Sequence, residues 1–199
     1  MKKFKVTVPA TSANIGIGYD CLGVALDYYL ELRVTESDTI EYLEDGRELS
    51  IPLEENYIYS TIKLIEKKYN KKVPDYKVEI IKNEIPVSRG LGSSSSAIVA
   101  GILIADKFLG GFFSKEEMAR LATEIEGHPD NVVPAVFGGM ILASHDNENF
   151  CYAEIPFDEN IYFYVMIPEF KLSTEKARAV LPKEYKVSDV ISNSSKLGL

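Results

Sequence analysis

The run Gly90-Leu91-Gly92-Ser93-Ser94-Ser95-Ser96 leads straight into Ala97, Ile98, Val99, Ala100, Ile102, Leu103, Ile104 and Ala105. No other stretch limits the fold so strongly. A loop poor in side chains passes into a helix that is apolar on most of its faces, and such a helix has to be buried. The junction collects unpaired backbone N–H groups at the positive end of the helix dipole, and glycine lets a bulky anion come close. The serine hydroxyls add donors, and one of them can also hold a metal ion. The local chemistry is that of a phosphate cradle. It is not the common P-loop, because no Gly-Lys-Ser or Gly-Lys-Thr follows the glycines. It is not the dinucleotide fingerprint either, whose third glycine is absent. A Gly/Ser-rich segment is often only a solvated linker, and a serine before an apolar run is often only an N-cap. A linker, however, rarely opens directly into a long buried helix.

The balance of charge sharpens this reading. The chain has 199 residues and a net charge of −8, which argues against nucleic acid and against an anionic membrane surface as partners. An acidic protein that takes a polyphosphate must do so locally, with oriented dipoles, a divalent metal and a few placed cations. Arg89, just before Gly90, is one candidate. No apolar run reaches membrane-spanning length, and the early lysines lead into an alternating strand, not a signal segment. With two cysteines, Cys21 and Cys151, a reducing cytoplasm is expected and both thiols are expected as small core residues.

In order along the chain, Phe4, Val6 and Val8 alternate with polar residues and predict a strand, and Pro9 to Asp20 reads as loop. Within that loop Asn14 and Asp20 suit turns equally with orienting an amine or hydroxyl of a small ligand. A second strand is predicted over Tyr28 to Thr35, and short strands flank a turn at Glu44-Asp45-Gly46. Asn56 caps a helix whose inner face carries Ile58, Ile62, Ile65 and Tyr69, and Tyr76, Val78 and Ile80 begin another strand. Ser114 and Glu117 form a capping box for a helix that ends at Glu124, Glu126, Gly127, His128, Pro129, Asp130 and Asn131. Polar groups packed around a Gly and a Pro make a poor core and a good site. Val132 to Phe137 reads as a short apolar piece, and strands are predicted at Met140 to Ser144, Cys151 to Ile155 and Tyr162 to Ile167. Strands and helices mixed, with hairpins between, give an α+β class. His128 is either a charge-paired residue or a ligand contact. Two distant histidines and two cysteines make a structural zinc site poor chemistry, whereas Glu126 suits a hard ion such as Mg²⁺, with loop serines and phosphates completing the shell.

Pro86 to Ser96 resembles the P-x-x-x-G-L-G-S-S phosphate loop of the GHMP kinases, a family that includes galactokinase, homoserine kinase and mevalonate kinase. Thr11 to Asp20 is similar to the T-x-A-N-L-G-P-G-F-D motif of the homoserine kinase branch. Glu126 to Asn131 and the stretch Ser173 to Arg178 with Val180-Leu181-Pro182 are similar to two further segments of that branch. The resemblance implies an N-terminal domain like ribosomal protein S5 domain 2 over residues 1–157 and the start of a ferredoxin-like second domain over 158–199. It implies that ATP phosphates lie against Pro86, Val87, Ser88, Arg89, Gly90, Leu91, Gly92, Ser93, Ser94, Ser95 and Ser96, with Asn56 by the adenine. Ser94 and Glu126 would hold Mg²⁺. Asn14, Asp20, His128, Thr174 and Arg178 would bind the second substrate, L-homoserine, with Arg178 facing its carboxylate. Asp130 or Asn131 would stand at the reaction centre, Asp130 as a base or Asn131 as an orienting group, and orientation without a strong base is the expectation. A mevalonate-type or sugar kinase, or a non-catalytic nucleotide-binding fragment, is the alternative.

Two departures from the family pattern stand out. Ile17 replaces the usual Pro, and family members continue beyond the point where this chain stops, which predicts a truncated kinase. Such a chain is expected to bind Mg-ATP weakly, to turn over little homoserine, and to self-associate, with a homodimer as the simplest case, or to be disordered after about Ile167.

Overall fold

The computed structural model describes residues 1–146, 149–158, 160–167, 169–170 and 174–198, without the side chains of Thr174 and Glu175. Strands β1 (Lys3–Ala13) and β2 (Leu22–Glu36) form a long antiparallel pair. Their buried positions alternate as a half-buried sheet requires, with Val6, Val8 and Ala10 on one strand and Leu30, Leu32 and Val34 on the other. The ladder shifts register between Pro9 and Ala10, at a residue with no N–H to give.

The other edge of β2 is shared. Its C-terminal half pairs with β5 (Tyr76–Asn83) and its first residues pair with β6 (Met140–His145). Beyond β5 lie β3 (Glu41–Glu44), parallel to it, and the short β4 (Arg47–Glu48). Beyond β6 lies β7 (Phe150–Ile155).

Helix α1 (Tyr57–Tyr69) begins where Asn56 accepts hydrogen bonds from the amides of Ile58 and Tyr59, and ends at Asn70 in the left-handed conformation. Helix α2 (Ser93–Leu109) is the central one. It packs on β1 and against α1, α3 (Lys115–Glu126) and α4 (Pro129–Phe137). Ile98, Val99, Ile102 and Ile104 are all buried, on several of its faces. Ser114 and Glu117 close the expected capping box at α3. The piece from Val132 to Phe137 is the body of α4, whose first helical residue is Pro129, a position where a missing N–H costs nothing.

Three expectations differ from the structure. Residues Pro9 to Ala13 continue β1, because their backbone finds a partner in Gly23 to Tyr29. Tyr162 to Ile167 is not a strand; among the described residues it pairs with no strand, and an apolar run without a ladder partner does not make one. Cys151 is exposed, because β7 is an edge strand with no buried residue, and Cys21 is half-buried in the turn before β2.

Helices α5 (Thr174–Ala179) and α6 (Val187–Gly198) follow. Among the described residues, every buried side chain falls between Val6 and Ala143, and no helix is long and apolar enough to cross a membrane.

Candidate active site

The loop after β5 arrives at α2 through residues with positive φ: Ser88 at 58°, Gly90 at 74° and Gly92 at 67°. Gly92 is the N-cap residue of α2 and has no side chain to cap it. The amide of Ser96 reaches back to the Gly92 carbonyl at 2.8 Å, so the amides of Ser93, Ser94 and Ser95 are the ones with no acceptor inside the helix. Three N–H groups and a helix dipole therefore converge at one spot suited to an anion.

Gly92 is also where side chains of β1 and α4 crowd the loop. A Cβ there would sit 2.2 Å from Thr11 Oγ1 and 3.2 Å from Asn131 Oδ1, whereas a Cβ at Gly90 would meet nothing within 4 Å. The loop is pinned from below as well. The Thr11 amide donates to the Leu91 carbonyl at 3.3 Å, and the Ser96 hydroxyl donates to the Pro9 carbonyl at 2.9 Å.

Oxygen donors gather beside this helix end. The hydroxyls of Ser94 and Ser95 donate to the same carboxylate oxygen of Glu126, at 3.2 and 2.9 Å. The family resemblance pairs Ser94 with Glu126, and the structure brings the two into contact. The nearer partner, Ser95, carries no separate sequence signal.

From Glu126 the chain turns at Gly127 into α4. His128 Nδ1 lies 2.5 Å from Asp130 Oδ1, and Asn131 Nδ2 donates to the same oxygen at 3.3 Å. The Asp130 carboxylate holds the His128 pKa above its ordinary value; burial of the ring works against this, and Asp130, Glu126 and Asp20 add attraction. Asp130 is 1% exposed and its second oxygen, Oδ2, is buried without a hydrogen-bond partner among the described residues. Asn131 is half-buried, and its Oδ1 accepts from Thr11 Oγ1 at 2.8 Å.

The turn after β1 supplies the next group. Asn14 and Asp20 both hold the left-handed backbone, at φ 60° and 57°, which short polar residues tolerate. Asn14 Oδ1 accepts from the Asp20 amide at 2.9 Å, so Asn14 does form a turn. The Asp20 carboxylate instead meets Arg178 of α5 in a fork, with Nη1 to Oδ2 at 3.0 Å and Nη2 to Oδ1 at 2.6 Å. A carboxylate oxygen of Asp20, a ring nitrogen of His128 and a carboxylate oxygen of Asp130 lie within 4.8 Å of one another. The sequence pointed to Asp20 and Arg178 separately and missed that they pair.

Of the other expected residues, Asn56 uses its carbonyl oxygen as the cap of α1. Pro86 is half-buried and Val87 exposed, while Arg89 has a buried Nη1 with no hydrogen-bond partner among the described residues. The side chain of Thr174 lies outside the described residues. Thr11, which joins the loop to Asn131, was not singled out by sequence as a site residue; nothing local to position 11 marks a partner 120 residues away.

A model of the GHMP kinases N terminal domain matches residues 56–139. Homoserine kinase of Clostridium novyi is 42% identical over 196 residues, covering 98% of this chain and 66% of that protein. Homoserine kinase of Clostridium beijerinckii is 45% identical over 195 residues, covering 98% of this chain and 65% of that protein. The chain thus spans just under two thirds of the length of these curated relatives. The crystal structure of homoserine kinase from Cytophaga hutchinsonii superposes with a TM-score of 0.80 at 27% identity, covering 100% of this chain and 66% of that one. By sequence and by fold, the chain is similar over nearly all of its length to homoserine kinases, and its residues 56–139 match the N-terminal domain of the GHMP kinases.

Proposed function

We propose that this chain carries the nucleotide site and part of the acceptor site of an ATP-dependent kinase that phosphorylates the side-chain hydroxyl of L-homoserine, a step of threonine biosynthesis. Residues 1–157 are the nucleotide-binding domain and 158–199 begin a second domain. The confinement of buried side chains to positions up to Ala143 supports that division.

The observation that carries the acceptor reading is the Asp20–Arg178 fork next to the His128–Asp130 pair. A zwitterionic amino acid brings one ammonium and one carboxylate. It can divide the fork, giving its ammonium to Asp20 and its carboxylate to Arg178, so that each charge keeps a partner. Mevalonate has only the carboxylate and a hexose has neither. Asn14 supports Asp20 by holding its turn, and Thr174 and His128 complete the acceptor set.

The nucleotide reading assigns the phosphates to Pro86–Ser96 and the adenine to the neighbourhood of Asn56, which can serve only with its NH₂ side, its carbonyl being committed to the cap. Ser94 and Glu126 would hold Mg²⁺, and their oxygen donors fit a hard cation. Bound there, the ion would neutralise charge on the phosphate oxygens. The chain itself contributes the open amides of α2, which are aimed where charge builds up during transfer. Asp130 is buried and already shared between His128 and Asn131, which suits a positioning role. Asn131 is the more accessible of the two candidates for meeting the acceptor hydroxyl. The cytoplasm is the compartment this reading expects, and the two unpaired cysteines agree with it.

Calorimetric titration with ATP, with and without Mg²⁺, tests the nucleotide half. Wild type should bind more tightly with Mg²⁺, and Ser94→Ala should lose most of that gain. Equal Mg²⁺-dependent affinity in the two proteins would remove Ser94 from the metal site.

A further inference from the structure

Asn131 is a short amide with one acceptor side and one donor side, and a misplaced flip would present the wrong one to a substrate. Two neighbours decide which way it faces. Asp130 Oδ1 lies 3.3 Å from the atom assigned as Nδ2; an amide oxygen there would face a carboxylate oxygen, with repulsion in place of a hydrogen bond. On the opposite side, Thr11 Oγ1 lies 2.8 Å from Oδ1 and has a proton to give. Thr11 is fully buried at 0% exposure, so solvent cannot take over this bond. The Thr11 amide holds the Leu91 carbonyl, and Gly92 stands so close that any side chain there would strike the Thr11 hydroxyl. One residue of β1 therefore ties the loop at α2 to the amide at α4.

We propose that Thr11 is a positioning residue: its buried hydroxyl fixes the orientation of the Asn131 amide and sets it in register with the Gly90–Ser96 loop. With Oδ1 held by Thr11 and one Nδ2 hydrogen on Asp130, the second Nδ2 hydrogen is the group Asn131 presents to an acceptor oxygen. Its catalytic consequence rests on the reading above that Asn131 meets the acceptor hydroxyl, whereas the structural part does not.

The test compares Thr11→Val, which keeps the branched shape and removes the hydroxyl, with Thr11→Ser, which keeps the hydroxyl. Urea unfolding establishes that both fold. The ¹⁵N–¹H spectrum then reads the Asn131 side-chain NH₂ pair, assigned by its loss in Asn131→Asp. The pair should move or broaden in Thr11→Val and stay near its wild-type position in Thr11→Ser. In steady-state transfer to L-homoserine, Thr11→Val should lower kcat by about 10- to 100-fold, as a small loss of position does, with a much smaller change in KM, and Thr11→Ser should recover most of the rate. An unmoved NH₂ pair in folded Thr11→Val would overturn the proposal. So would a kcat in Thr11→Val equal to that of an active wild type. If the spectra behave as expected but wild type shows no transfer to homoserine, the strut stands and the failure belongs to the kinase reading.

Discussion

Replacing Gly92 by alanine puts the loop-to-helix junction under a load that the structure allows to be worked out. The backbone there has φ 67°, and an L-residue in that region costs about 1–2 kcal/mol. The new Cβ would lie 2.2 Å from Thr11 Oγ1, far inside contact distance, and Thr11 is buried on a short side chain that cannot swing into solvent. Its hydroxyl must leave Asn131, stranding a buried polar group at a further cost of about 1–3 kcal/mol. The sum is about 2–5 kcal/mol. Gly90→Ala is the control, because its φ is 74° but its Cβ would meet nothing within 4 Å; only the backbone cost of about 1–2 kcal/mol applies. Urea unfolding followed by circular dichroism measures both, and with a slope of about 1–3 kcal/mol per molar the two midpoints should separate clearly. In the double variant Gly92→Ala/Thr11→Ala the colliding oxygen is gone, so the two effects should be less than additive by about 0.5–3 kcal/mol. Equal destabilisation by Gly92→Ala and Gly90→Ala, or strict additivity in the double variant, would refute the close-contact reasoning.

His128 should titrate above its ordinary value of about 6.5 because Asp130 stabilises the imidazolium. A raised folded pKa means that the stabilisation is fully present below the unfolded value and is lost as pH rises through the folded one. The stability advantage of wild type over His128→Asn, measured by urea unfolding with a chelator present, should therefore fall on going up from about pH 6.5; an advantage flat across that window, or an imidazole NMR titration at or below the ordinary value, would contradict this. The Asp20–Arg178 fork is partly exposed, at 31% and 39%, so Asp20→Asn should change global stability by no more than about 1 kcal/mol. Hydrogen exchange at residues 174–179 should nonetheless speed up, since the fork ties α5 to the β1–β2 turn, and unchanged exchange would mean it does not anchor the helix.

Local signals served well where one residue acts on its immediate neighbours. Asn56 capping α1, the Ser114–Glu117 box and the loop running into α2 depend on contacts a few residues apart. The misses share a cause of the opposite kind. Residues Pro9 to Ala13 look like loop from their small and polar side chains, yet they form strand because β2 offers a partner across the turn. Tyr162 to Ile167 has the aromatic and apolar composition of a strand and, among the described residues, no ladder. Helix α4 was obscured by Pro129 and Pro134, one harmless at a first turn and the other inside the helix. Within the candidate site, the types of residue were readable at Asp20, Glu126, His128, Asp130 and Arg178. Who bonds to whom was not, since the Thr11–Asn131 bond and the Asp20–Arg178 fork join positions 120 and 158 residues apart.

Phosphoryl transfer from Mg-ATP to competing acceptors addresses the central claim most directly. L-homoserine, mevalonate and galactose are offered at equal concentration, and phosphorus NMR follows the products. The account predicts that O-phospho-L-homoserine forms faster than either other product, whatever the absolute rate, because only a zwitterion can divide the Asp20–Arg178 fork and leave both charges paired. Faster phosphorylation of mevalonate or galactose would contradict it.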